Sequence, residues 1–331
     1  FYRDHSPREQ QRSSFRRHIQ LAKEAAKPLI IHDRDAHDEV IQIMQEENAA
    51  AAGGVLHCFS GDLEMARKCL EMGFYISFAG PLTYPKNEAL RAIAQALPID
   101  RMLVETDCPY LSPQGWRGKR CEPAYVRTTA EKLAEIKGLT IEDVARITSL
   151  NAWRLFGIGK VDQSTRIAYV IRNSLYLNIT NRCTNSCTFC AKFNDFTVKG
   201  HQLCLEREPS VEEVMNAIGD PSLYDEVVFC GYGEPLLRLD LVKEVAGAMK
   251  QSGVTVRINT DGQANLVHHR NILPERAGLV DSISVSLNAP DAETYQKICC
   301  SEFGEQGYAA LKDFLLEAKR HIPSVTATAV T

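Results

Sequence analysis

Long apolar runs are missing from this chain of 331 residues. No stretch approaches the ~18 apolar residues that a membrane-spanning helix needs, and no signal peptide opens the chain. Strong charge of one sign is missing too: 38 lysines and arginines face 42 aspartates and glutamates, a formal net charge of −4. No chain-wide field therefore favours nucleic acid or a membrane surface, although a local basic groove stays open. There is no low-complexity tract and no short repeat. With 44% apolar and 24% charged residues, the composition is that of an ordinary soluble globular protein. The expected location is the cytoplasm, with no membrane partner. An initiator methionine is also missing: the chain starts at Phe1 and stops at Thr331, directly after SVTATAV. A fragment cut at both ends is expected.

Cysteine is present in an odd number, eleven, and its distribution is not that of a disulfide framework. Three crowd into CTNSCTFC. The others (Cys58, Cys69, Cys108, Cys121, Cys204, Cys230, Cys299 and Cys300) mostly sit beside apolar neighbours and read as small buried thiols. Crowding of this kind in a cytoplasmic protein points to metal or cluster ligation.

Length leaves room for more than one domain, since single cores stop growing at about 250–300 residues. Short apolar runs alternate with longer amphipathic stretches, the pattern of α/β units with parallel strands. Ser6, Pro7 and Glu9 read as N-cap, N1 and N3 of a capping box, with Phe15, Ile19 and Ala22 along one helix face. PLIIH, GGVLHCF, FYISFAG and RMLVETD then read as strands, with helices near 36–47, 62–72 and 86–96. Helices over 123–137 and 141–156 close this part. GIGKVDQSTRIAYVIR breaks the rhythm, so a first domain over 1–158, a linker over 159–172 and a second domain over 173–331 are expected. In the second domain SLYLNIT, DEVVFCG, VTVRINT, DSISVSL and SVTATAV read as strands, and Ser210 with Glu213 forms a capping box. Two α/β barrels or partial barrels in tandem explain this better than one sheet.

Barrel chemistry sits at the C-terminal ends of strands. His32, His57 and Asp107 fall there in the first half. In the second, the cysteine loop follows LYLNIT, GYGEP follows VVFC, and Asp261-Gly262 follows VRINT.

Cys183, Cys187 and Cys190 are spaced C-x3-C-x2-C. Three thiolates hold three irons of a cubane and leave the fourth iron open, as a substrate-binding [4Fe–4S] cluster requires. Structural zinc wants a fourth ligand, and the nearest candidates, His201 and Cys204, fit no common zinc spacing. CTNSCTFC resembles the signature of the radical S-adenosylmethionine enzymes, and the resemblance extends through most of residues 173–331. It implies that adenosylmethionine chelates the open iron through its amino and carboxylate groups. One electron from the reduced cluster then breaks a C–S bond, and the resulting 5′-deoxyadenosyl radical abstracts hydrogen from a substrate. By the same resemblance, Gly231, Gly233 and Glu234 of GYGEP would engage the methionyl amino group. Asn259, in the run to Gly262, and Ser286 and Asn288, in the run from Ser284, would meet its carboxylate and the ribose. Read alone, GYGEP is an ordinary turn before a helix and NTDG an ordinary turn.

His32, Asp33, Asp35, His57 and Asp107 offer nitrogen and oxygen ligands at three successive strand ends. Imidazole plus carboxylate suits zinc, manganese or iron, and a pair of such ions would activate water. IIHDRDAHDE, LHCFSG and ETDCPYLSP resemble the TatD family of metal-dependent deoxyribonucleases over residues 1 to about 158. That resemblance implies His32, His57 and Asp107 as ligands of divalent ions (zinc, manganese or magnesium), with Asp107 also helping to activate the water. The family's His-x-His pair and a further glutamate would lie upstream of Phe1, so the ion site is expected to be half present and the chain as given a poor nuclease. Where many relatives carry Asn-Glu-Pro, this chain has Cys121-Glu122-Pro123. Arg117, Lys119 and Arg120, and the basic first helix (Arg8, Arg12, Arg16, Arg17, His18), read as solvated charge rather than a DNA site.

Together the resemblances imply the C-terminal part of a TIM-like (β/α) metallohydrolase barrel followed by a partial (β/α) radical S-adenosylmethionine barrel. A bifunctional enzyme is expected, with an unidentified small-molecule or nucleic-acid substrate and an electron donor such as flavodoxin or ferredoxin. DNA remains open as a substrate of the hydrolase half. The rival reading is a nucleic-acid-binding or scaffold protein with structural zinc on the cysteines and no turnover.

Overall fold

The computed structural model describes residues 5–162, 164–193 and 195–329. The chain divides after Asp162 into two compact units.

The first unit begins with helix α1 (Arg8–Glu24) and then alternates β1 (Leu29–His32), α2 (His37–Glu46), β2 (Gly54–His57), α3 (Leu63–Glu71), β3 (Tyr75–Phe78), α4 (Glu88–Ala96) and β4 (Met102–Val104) before α5 (Val126–Lys137) and α6 (Ile141–Phe156). The strands pair in parallel in chain order β1-β2-β3-β4, the order of a (β/α) barrel. The register sets His32 beside His57 at the C-terminal ends of β1 and β2. Ile31, Leu56, Ile76, Phe78 and Met102 bury one sheet face in the main core, against helix residues such as Met44 and Leu133. Local chemistry fixes the helix ends. Asp62 caps α3 by accepting from the Met65 amide, Thr140 and Asp143 form a capping box on α6, and α5 ends at Gly138 in the left-handed region (φ +59°). The expected box at Ser6 does not form. Pro7 is the N-cap of α1 with no side-chain cap, Ser6 donates to Gln10, and Glu9 pairs with Arg12 instead.

Six strands form the sheet of the second unit, in the order β12-β11-β10-β9-β6-β5. These are β5 (Ala168–Ile171), β6 (Ser174–Leu177), β9 (Glu226–Phe229), β10 (Thr255–Thr260), β11 (Ser282–Ser286) and β12 (Ser324–Thr328). All neighbours are parallel except β5, which runs antiparallel to β6. AYVI, placed in the linker by sequence, is therefore an edge strand of this sheet. Between β6 and β9 lie the cysteine loop, a small hairpin of β7 (Thr197–Val198) with β8 (His201–Gln202), and α7 (Val211–Ile218), whose Ser210–Glu213 capping box forms as expected. Helices α8 (Leu239–Gln251), α9 (Ala264–Val267), α10 (Ala292–Cys299) and α11 (Glu305–His321) complete the unit. Leu177, Phe229, Val242, Ile258, Val285 and Phe314 are among the residues of its core.

Strands alternating with helices give each unit the expected α/β class. Among the described residues, no helix is long and apolar enough to cross a membrane.

Candidate functional site

In the first unit the strand ends hold a relay of polar side chains. Ser77 Oγ on β3 donates to Glu105 Oε2 at 2.8 Å. Glu105 Oε1 pairs with His57 Nδ1 at 2.9 Å, and His57 Nε2 stands 3.1 Å from His32 Nδ1. A carboxylate only accepts, so His57 Nδ1 carries the proton and Nε2 is left as the basic nitrogen. The hydrogen bond to Glu105, with the charges of Glu105 and Asp107, raises the His57 pKa against the opposing effect of burial. Asp107, in the left-handed region (φ +55°), lines a cavity of about 760 Å³ with His32, Asp33, Asp35, Cys58 and Ser60. His57 lies instead on a neighbouring cavity with Ser77 and Glu105.

The two further aspartates of the motif are placed differently from each other. Asp33 takes its hydrogen bonds from His37 Nδ1 and the Ala36 amide, which ties it to the start of α2. Asp35 is exposed. Burial, with the charges of Glu105 and Asp107, pushes the Cys58 thiol up to about 12, so it stays protonated beside the site. The basic face of α1 is spent on α2: Arg12 meets both carboxylate oxygens of Glu39, and Arg16 meets Glu46 and Glu47.

In the second unit, the expected motifs gather at the C-terminal ends of β6, β9, β10 and β11. Gly231 and Gly233 are required by close approach. An added Cβ would lie 2.2 Å from Asn178 Oδ1 at the first and 2.4 Å from the Thr180 and Arg182 carbonyl oxygens at the second. The Gly233 and Glu234 amides donate to Thr180 and Arg182, binding the glycine loop to the backbone just before Cys183. Glu234, 3% exposed, accepts from the Leu236 amide, Thr260 Oγ1 and the Asp261 amide at 2.7–2.9 Å. Burial and the neighbouring Asp261 raise its pKa. Asp261, raised by its own burial, accepts from Thr184 Oγ1 and the Gln263 amide. Asn259 Oδ1 accepts from Arg257, and Asn288, after Ser286 at the end of β11, reaches Cys299 Sγ at 3.7 Å.

The three motif cysteines occupy different surroundings. Cys183 faces Asp261 at 3.9 Å, and burial with that charge pushes its thiol up to about 12. Cys187 shares a hydrogen bond with Cys299, which together with burial raises it further while Cys299 is lowered. Cys190 packs in a small apolar cluster with Tyr169, Leu203 and Tyr232. Among the described residues, no three His, Cys, Asp or Glu side chains converge closely enough to hold one ion. The donor sets nonetheless fit the groups expected. Three thiols on one loop suit a cubane with one open iron, and His201, a candidate fourth ligand in sequence, is bound to the Val170 carbonyl. In the first unit, a basic imidazole nitrogen oriented by a carboxylate suits a divalent ion.

Residues 1–157 match the family model "TatD related DNase", and residues 177–331 match "Radical SAM superfamily". The chain carries a TatD-related domain followed by a radical SAM domain. Both are enzyme families, the first of metal-dependent hydrolases. The uncharacterized metal-dependent hydrolase YabD of Bacillus subtilis is 49% identical over 158 residues, covering 48% of this chain and 62% of that protein. The 3′-5′ ssDNA/RNA exonuclease TatD of Citrobacter rodentium is 34% identical, covering 48% and 62%. Among solved structures, YJJV, a TatD homologue of Escherichia coli K12, aligns with 28% identity and a TM-score of 0.45, covering 48% of this chain and 61% of that one. The chain thus spans about three-fifths of the relatives it matches.

Sequence reasoning missed several residues at these sites. Glu105 lies two positions before Asp107 in a motif already singled out, and that period-two spacing on a strand end was the available signal. Cys299 reads in isolation as an inert thiol, yet it touches Cys187. Cys108 and Cys300, read as buried, are exposed.

Proposed function

We propose that the complete enzyme is bifunctional: the radical SAM domain cleaves adenosylmethionine to initiate radical chemistry, and the TatD-related domain is a metal-dependent hydrolase. The observation that carries the reading is the cysteine loop. The loop itself carries three thiols in the C-x3-C-x2-C spacing, and it stands beside the other strand-end motifs of the same sheet. Cys183, Cys187 and Cys190 would hold a [4Fe–4S] cluster. When bound, that group supplies the electron that splits the sulfonium into methionine and a 5′-deoxyadenosyl radical.

The chain's own part is orientation. Glu234 pins the glycine loop to the end of β10, and Gly231, Gly233, Glu234, Asn259, Ser286 and Asn288 would together form the rim that meets the cofactor. An electron donor such as flavodoxin or ferredoxin is required, and a cytoplasmic setting suits an oxygen-sensitive centre. In the TatD-related domain, His32, His57 and Asp107 would bind divalent ions that lower the pKa of water towards about 7. Glu105 holds the His57 tautomer, and Asp107 takes the proton from the attacking water. The exonuclease name of the Citrobacter relative supports a nucleic-acid substrate for this half.

Anaerobic reconstitution of the full chain, reduction, and assay of 5′-deoxyadenosine test the first half of the proposal. A brown protein that forms 5′-deoxyadenosine is expected. A colourless protein binding only zinc would defeat it.

A further inference from the structure

A buried polar cluster joins the cysteine loop to the rest of the radical SAM domain. Asn185, inside the cysteine motif, is 4% exposed, Gln263 and Tyr295 are wholly buried, and Ser301 is 5% exposed. Gln263 Nε2 donates to Asn185 Oδ1 at 2.8 Å and to the Tyr295 hydroxyl at 3.1 Å. Asn185 Nδ2 donates to the same hydroxyl at 2.9 Å, and Ser301 Oγ donates to Gln263 Oε1 at 2.5 Å. Three backbone bonds flank this cluster: Ser186 amide to Cys299 carbonyl at 3.0 Å, Thr188 to Ile298 at 2.9 Å, and Glu302 to Thr184 at 2.9 Å. Gly307 passes so close that a Cβ there would meet Ser301 Oγ at 2.5 Å and Gln263 Oε1 at 2.6 Å. Gln263 also lies two residues beyond Asp261, which Glu234 holds and which itself accepts from Thr184 of the loop.

Apolar packing at this junction would tolerate sliding of the loop, whereas directional bonds between buried amides admit one arrangement. Accepting the radical SAM reading, we propose that Asn185, Gln263 and Tyr295 are positioning residues. They set the cysteine loop, and any cluster on it, at a fixed distance from the cofactor contacts that follow β10 and β11. None of them touches a reacting atom. Their effect on adenosylmethionine passes through Cys183, Cys187 and Asp261.

Tyr295→Phe keeps the ring and removes the shared oxygen, and Ser301→Ala serves as a milder second variant. In the metal-free full chain, hydrogen exchange should quicken at the Ser186, Thr188 and Glu302 amides by roughly 10-fold or more, with the β-strand amides unchanged. After anaerobic loading, iron content should hold. The KM for adenosylmethionine should rise and 5′-deoxyadenosine formation should fall roughly 10–100-fold, with a smaller cofactor-induced change in the cluster's electron paramagnetic resonance. Wild-type exchange at the three amides, or equal quickening across the whole domain, would overturn the proposal. So would a loaded Tyr295→Phe chain that turns over like wild type. The exchange arm needs no cluster, so it separates failure of this inference from failure of the radical reading, which a wild-type chain unable to cleave adenosylmethionine would mark.

Discussion

The two candidate sites use the same position in the fold, the C-terminal ends of parallel strands, and solve different problems there. In the TatD-related domain the proposed ligands sit on or directly after the strands. β1 and β2 are in register at His32 and His57, so the imidazoles meet without help from a loop. Only one outer contact, Glu105, is needed to orient His57. In the radical SAM domain the proposed ligands ride on a loop, and the neighbouring polar side chains are spent on holding loops together. Glu234 binds the glycine loop to β10, and Asn185 and Gln263 bind the cysteine loop to α10. Strand-borne ligands inherit their geometry from the sheet, whereas loop-borne ligands need a buried polar scaffold of their own.

The comparison is sharpened most by removing a ligand from each side. Cys187→Ala should abolish iron loading and adenosylmethionine cleavage together while leaving divalent metal in the TatD-related domain untouched. His57→Ala should do the reverse, both read by metal analysis of the complete protein. Iron lost from both variants would mean that the sites are not independent. Next comes the scaffold. Glu234→Ala leaves three buried donors without their acceptor and should cost about 2–4 kcal/mol, read by denaturant unfolding of the radical SAM domain. Glu105→Gln replaces an acceptor outside the ion site and should weaken metal binding about 10–100-fold by titration calorimetry, with little loss of stability.

A smaller effect depends on pH. Arg257 holds the Glu226 carboxyl below its ordinary value of 4.5 through a two-pronged contact, which outweighs the cost of burial. A depressed folded pKa means that the folded state binds fewer protons than the unfolded chain. This contribution is therefore complete above the ordinary carboxylate range and is lost as pH falls through the depressed value. Acid unfolding below about pH 4.5 should show a loss on the order of 1 kcal/mol that Glu226→Gln removes.

The smallest difference separates two helix starts that look alike in sequence. Thr140→Ala should cost about 1 kcal/mol because Thr140 caps α6. Ser6→Ala should stay within about 0.5 kcal/mol because Ser6 caps nothing.

Those two helix starts show where sequence reading reaches its limit. Ser-Pro-x-Glu has the spacing of a capping box, but Pro7 itself takes the N-cap place with extended ψ (137°), and α1 begins one residue later. The parallel strands were legible because each is a short apolar run ended by polar residues. AYVI was not, since it follows a glycine-rich, polar stretch and pairs antiparallel at the sheet's edge. His32, His57 and the cysteine loop stood out because their residue types are rare at strand ends and carry chemistry. The Asn185–Tyr295 contact joins positions 110 residues apart through ordinary amide and hydroxyl groups. No local pattern announces such a contact, which exists only once the chain has folded around it.

The contrast rests on the proposed cubane, whose fourth iron would be free for the cofactor. Electron paramagnetic resonance of the reduced, anaerobically loaded full chain, recorded without and with adenosylmethionine, tests it most directly. The account predicts a [4Fe–4S]⁺ signal, from about four irons per chain, that changes on adding the cofactor. A cluster signal indifferent to adenosylmethionine, or no cluster signal at all, would contradict it.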